Sequence, residues 1–166
     1  MVEDQRFASR RNDVICFSTS PLTEALTLCG PIEIDLSTSI STTDADYIVK
    51  LIDVFPDEDS KQAGYEMLVR GDIMRGRYRN SFTKPEPFVP NKMARVRFSL
   101  ADVAHTFPKG HRIMVQIQSS WFPLADRNPQ QFINIYHCTK ADFVRSLVKI
   151  YHEHAHASKL VLPILQ

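Results

Sequence analysis

Three histidines alternate in the segment "YHEHAHAS": His152, His154 and His156. On an extended strand they would share one face, with Cα atoms ~7 Å apart. Three converging imidazoles could hold Zn²⁺ and leave a fourth position open. Side chains at alternate strand positions run parallel, however, and do not readily converge on one ion. The segment also precedes a final apolar stretch and reads as exposed. Solvated surface histidines are the favoured reading, and no metal or other cofactor is expected.

Arg70, Arg75, Arg77 and Arg79, with Tyr78 and Phe82 close by, form a second cluster. Cations interleaved with aromatics suit a nucleic-acid surface. Glu66, Asp72 and Glu86 lie among them, and the chain carries 20 Lys plus Arg against 19 Asp plus Glu, a net charge of +1. A strand edge guarded by charge accounts for the arginines, and no nucleic-acid partner is expected. Asp44 and Asp46 in "TTDADY" could ligate Ca²⁺ as loop carboxylates often do. The favoured reading is a structural turn, with one of them bonded to local backbone amides.

The stretch "GHRIMVQIQSSWFPLADRNP", residues 110–129, contains the single tryptophan. It alternates like a strand and ends in a knot that includes Trp121, Phe122, Asp126, Arg127 and Asn128. The knot has a carboxylate and a guanidinium but no nucleophile beside a base. Serine hydrolysis usually needs a G-x-S-x-G elbow. The glycines stand at 30, 64, 71, 76 and 110, no two of them four apart. A phosphate loop, a dinucleotide fingerprint and HExxH are also absent from the sequence. No catalytic residue is therefore assigned. The knot reads as a rigid sheet end, in which Pro123 stops the ladder and Arg127 and Asn128 tie the turn.

The elements that must position these residues are mostly strands. Asp13–Thr19, Pro31–Ser41, Asp46–Phe55, Tyr65–Arg79, Ala94–Leu100 and the run "HRIMVQIQSS" carry alternating or wholly apolar patterns. Asp46–Phe55 is apolar on both faces apart from Lys50 and Asp53, which suits a central strand. Bends are expected near Gly71 and Gly76. Thr139–Val148 is the one helical expectation, with Thr139 as cap and Asp142 three residues on. "SKLVLPIL" reads as a closing strand. About eight strands, uneven connections and one short helix point to an all-β jelly-roll sandwich, a single domain over residues 1–166.

The 166 residues suffice for one core, and 43% hydrophobic with 23% charged residues is a globular profile. No apolar run reaches the ~20 residues of a membrane span, so no membrane partner is expected. The polar start "MVEDQRFASRRND" lacks signal-peptide character, and the compartment stays unassigned. Cys16, Cys29 and Cys138, an odd count without CxxC, read as buried free thiols.

The motifs together resemble a known family. "SPLTEALTLCGPIEIDLSTSISTTDADYIVKLIDVFPD" is similar to an opening with a PL-x-E entry, a GP turn, a TD-x-D loop and a V-x-L-x-DV-x-PD strand. "GHRIMVQIQSSWFPLADRNP" is similar to a late strand with an FP-x-x-x-RN turn, and "SKLVLPIL" to a closing S-x-L-x-LP strand. In this order they resemble the C-terminal β-sandwich domain of the X-Pro dipeptidyl-peptidase family of serine hydrolases. That superfamily includes cocaine esterase, alpha-amino acid ester hydrolases and glutaryl-cephalosporin acylases. The resemblance implies a galactose-binding-type jelly roll that packs on an N-terminal α/β-hydrolase domain carrying Ser, Asp and His. It also implies help in shaping a substrate pocket and homo-oligomer contacts. None of the triad motifs maps onto this sequence. Trp121, Phe122, Arg127 and Asn128 are the residues expected at a pocket wall or domain interface. The alternative is a free-standing carbohydrate-binding or adhesion module, which would need exposed aromatics such as Trp121.

Overall fold

The computed structural model describes residues 3–58 and 61–165. It is an antiparallel β-sandwich. One sheet holds β1 (Ile15–Ser18), β6 (Arg112–Gln118), β3 (Asp46–Val54) and β4 (Glu66–Arg75), in that spatial order. The other pairs β5 (Ala94–Phe107) with β2 (Leu26–Ile40). The far side of β2 takes two short strands, β7 (Val148–Ile150) and β8 (Lys159–Val161). Chain neighbours are rarely sheet neighbours, as a jelly roll requires.

Alternation fixes the core. Ile32, Ile34 and Leu36 of β2 meet Tyr47, Val49 and Leu51 of β3 between the sheets, with Val96, Leu100 and Phe107 of β5 and Ile117 of β6. The central position expected for residues 46–55 holds, since β3 lies between β6 and β4. The β2 strand begins earlier than its alternation suggested and shifts register between Gly30 and Ile32. Gly30 has φ +125, which favours glycine, and Pro31 has no N–H for the ladder. In β4 the irregularity lies opposite Leu51/Ile52, near Val69 rather than at Gly71. At Gly76 the strand gives way to a 3-10 turn, Gly76–Tyr78. A Cβ at Gly76 would lie 2.5 Å from the Ala45 carbonyl oxygen and 2.6 Å from the Phe88 ring, so only glycine lets the backbones approach.

The helix expected over Thr139–Val148 does not form. Its capping box is present, with Thr139 N–H and hydroxyl both donating to Asp142, but it closes only a 3-10 turn, Lys140–Asp142. Val148 then enters β7 and pairs with Ile40. Two β-branched or aromatic residues, Phe143 and Val144, follow the cap, and tertiary pairing with β2 overrides a weak local preference. The short α-helix is instead α1, Arg6–Ser9. No helix among the described residues is long and apolar enough to cross a membrane.

Candidate functional site

The outer face of the β1-β6-β3-β4 sheet is partly covered. Ile48 and Ile52 of β3 are buried there together with Ala8 and Trp121, and none of the four belongs to the inter-sheet cluster. They form a second, small core outside the sandwich. Its cover is the N-terminal segment: Gln5 N–H donates to the Glu66 carbonyl, Asp4 bridges Met67, and α1 lays Ala8 inward. Lys50 lies between Ile48 and Ile52 and is fully buried. Its ammonium donates to Gln5 Oε1 at 2.8 Å and lies 4.8 Å from the centroid of the Trp121 ring. No carboxylate pairs with it among the described residues. Burial, with a smaller contribution from the Arg11 charge, pushes the amine down to about 8.

Trp121 and Phe122 are adjacent in sequence but face opposite ways. Trp121 is 8% exposed, whereas Phe122 is 62%, Leu124 59% and Phe7 50% exposed. Phe7, Arg11, Gln118, Ser120, Trp121, Phe122 and Arg127 line a shallow hollow at this end. A Trp121 ring packed on Lys50 is not an aromatic platform for sugar stacking, which the alternative reading needs.

Asn128 joins this knot to the Asp44–Asp46 loop. Its Nδ2 donates to Asp44 Oδ2 at 3.0 Å and to Asp46 Oδ1 at 2.9 Å. Asp44 also accepts two hydrogen bonds from Arg77, at 2.8 and 2.6 Å, and the Ala45 N–H at 3.0 Å. One local amide bond was expected; most of this turn's ties come from residues distant in sequence. Burial raises the Asp46 carboxyl to about 6, against the opposing pull of Asn128 and of Arg75, 3.7 Å away. Arg127 makes no contact with these carboxylates and stacks on Phe143, 4.9 Å from the ring centroid.

The remaining arginines are spent on structure. Arg70 donates to the Asp102 carbonyl, and Arg79 donates to the carbonyls of Glu86 and Pro87 while stacking on Phe88. Sequence reasoning missed Asp53. Its buried carboxylate lies 2.7 Å from His111 Nδ1 and 2.9 Å from His105 Nε2, joining β3 to β5 and to the β5–β6 turn. The only signal was a charged residue on the core face of an apolar strand.

His152, His154 and His156 do not alternate on a strand. His154–His156 form a 3-10 turn, all three are exposed, and no group of three His, Cys, Asp or Glu side chains among the described residues is placed to hold a metal. The thiols are free, but Cys29 is exposed and the other two are only half-buried, against the expectation of burial. Cys29 lies just before the Gly30 irregularity of β2.

The comparisons with known proteins agree with this geometry. Residues 2–161 match the family described as X-Pro dipeptidyl-peptidase C-terminal non-catalytic domain. Cocaine esterase from Rhodococcus sp. (strain MB1 Bresler) is 34% identical over 163 residues, covering 98% of this chain and 27% of that protein. A solved alpha-amino acid ester hydrolase superposes with TM-score 0.96 at 44% identity, over 99% of this chain and 27% of its own. An aminopeptidase from a marine sediment archaeon, Thaumarchaeota archaeon, gives TM-score 0.95 at 41% identity, over 99% and 28%. This chain thus spans little more than a quarter of each of these relatives. A sandwich without a nucleophile elbow, matched over nearly its whole length, belongs to the X-Pro dipeptidyl-peptidase C-terminal non-catalytic domain family.

Proposed function

We propose that this chain is the accessory domain of a serine hydrolase acting on ester, amide or peptide bonds, and that its outer small core is the face that docks on the catalytic domain. The observation that carries this is the exposed apolar rim of Phe7, Phe122 and Leu124, set on the rigid base of Trp121 and Lys50. Apolar residues clustered on a rigid base mark an interaction site more often than a chance surface. The N-terminal segment forms part of the same face, and a non-catalytic C-terminal domain is joined to its enzyme through its N-terminus. Docking there would let the Trp121–Asn128 knot form a wall of the substrate cleft. Homo-oligomer contacts through the sandwich belong to the same reading.

Two results are expected. The chain alone should show no turnover of an activated ester or a dipeptide anilide; turnover that survives purification and is blocked by a serine-directed reagent would overturn the accessory reading. In the complete enzyme, Phe122→Ser with Leu124→Ser should separate the unfolding of the two domains and raise KM several-fold. The same pair in the isolated chain should shift stability by less than about 0.5 kcal/mol, as surface changes do. A complete enzyme that still unfolds in one transition, with KM unchanged, would move the interface elsewhere.

A further inference from the structure

The sandwich has an opening that the accessory role does not use. β7 pairs with Thr38–Ile40 and β8 with Glu33–Asp35, so Leu36 and Ser37 face a gap between the two strands. Residues 151–158, the histidine segment, cross that gap. Their backbone is stitched down: Tyr151 N–H donates to the Ser37 carbonyl, and Ser158 Oγ accepts from Ser37 N–H and donates to the Tyr151 carbonyl. Behind them a cavity of about 210 Å³ runs between the sheets, walled by Ile34, Leu36, Val49, Val115, Ile117 and Ile150. On the opposite sheet the edge strand β1 brings Phe17 to the rim. The rings of Phe17, from β1, and His152, from the segment after β7, meet edge to face at 6.1 Å.

We propose that this cavity is a binding site for small neutral aromatic or aliphatic molecules, entered between Phe17 and His152. The walls offer mainly dispersion contacts: His152, Ser158 and Lys159 are the polar residues of the lining, and Ser158 Oγ is already committed to backbone groups. A charged ligand pressed against these apolar walls would lose hydration with little compensation. An enclosed engineered apolar cavity of about 150 Å³ binds benzene; this hollow is of similar order and opens to solvent at one side. Phe17 is 43% exposed and His152 is exposed, so the gate can swing without disturbing the core. His152 acquires a role as half of that gate.

The test is a titration of this chain, labelled at its Ile, Leu and Val methyl groups, with toluene and indole, and with benzoate as the charged counterpart. Toluene and indole should shift the methyls of Ile34, Leu36, Val49, Val115, Ile117 and Ile150, and benzoate at equal concentration should not. Shifts that are absent, or spread to the exposed Val161 and Ile164, or equally strong with benzoate, would overturn the proposal. Ile150→Phe, at the half-buried rim, should weaken toluene binding at least tenfold. Because that variant could perturb β7, xenon pressurisation of wild-type crystals gives an independent reading. A xenon atom between Val49 and Ile117 supports the site, and an empty interior sinks it.

Discussion

Asp44→Ala is expected to lower folding stability by about 3–5 kcal/mol, the range for breaking a buried ion pair from one side. Asp44 is fully buried and its carboxylate uses both oxygens: Oδ1 accepts from Ala45 N–H, and Oδ2 from Arg77 and Asn128. Removing it leaves the guanidinium of Arg77, itself buried, without the oxygen that accepts two of its N–H groups, and orphans one bond of Asn128. The Phe132 ring, 5.0 Å from Arg77, cannot replace a carboxylate. Asp44→Asn keeps the volume but loses the charge and should be nearly as damaging. Asp44→Leu combined with Arg77→Met should recover part of the loss, since two apolar residues need no pairing. Urea unfolding monitored at Trp121 would measure this, with the midpoint falling at unchanged slope. A loss below about 1 kcal/mol for Asp44→Ala would mean that the network behaves like an exposed ion pair.

This network also shows where sequence reading stops. Period-two patterning placed the strands, because one face of each must leave water. It put β3 at the centre for the same reason, since a strand with no polar face has nowhere else to go. Patterning is blind to partners far apart in the chain. Nothing local at Asn128 points to Asp44, 84 residues away, and nothing at Asp53 points to His105 and His111. The knot's residue types suggested loop-tying chemistry; which side chain does the tying depends on tertiary approach. Asn128 reaches the carboxylates, whereas Arg127, one residue earlier, stacks on Phe143. Adjacent residues separate in the same way at Trp121 and Phe122, where the chain turns at the end of β6. The histidine segment failed for another reason: alternation means a shared face only if the backbone is extended, and residues 154–156 are a 3-10 turn.

Lys50 should give the domain an alkaline rise in stability that Lys50→Met abolishes. The folded amine is held near 8, against an ordinary value of 10.5. Between those two pH values the unfolded chain holds the proton and the folded chain does not. Stability therefore rises with pH across the window, reaching its full contribution above 10.5 and losing it below 8. At about 1.4 kcal/mol for each pH unit the ceiling is about 3.5 kcal/mol, and the polar side chains of Gln5 and Gln118 around the amine reduce it to about 2 kcal/mol. Methionine keeps an unbranched apolar stem and removes the titrating ammonium that lies over the Trp121 and Phe7 rings. At pH 7 the change should be small, because the relief of a desolvated cation offsets the lost bond to Gln5. Every other titrating group is common to both proteins, so the informative quantity is the difference between the two stability profiles. Parallel profiles from pH 7 to 10.5 would show that the amine is hydrated in the folded chain. If they diverge as expected, Lys50 is a cation that ties the N-terminal segment and Trp121 to the sheet at a cost in stability. Such a cost would fit the proposed docking on this face, which requires a rigid surface.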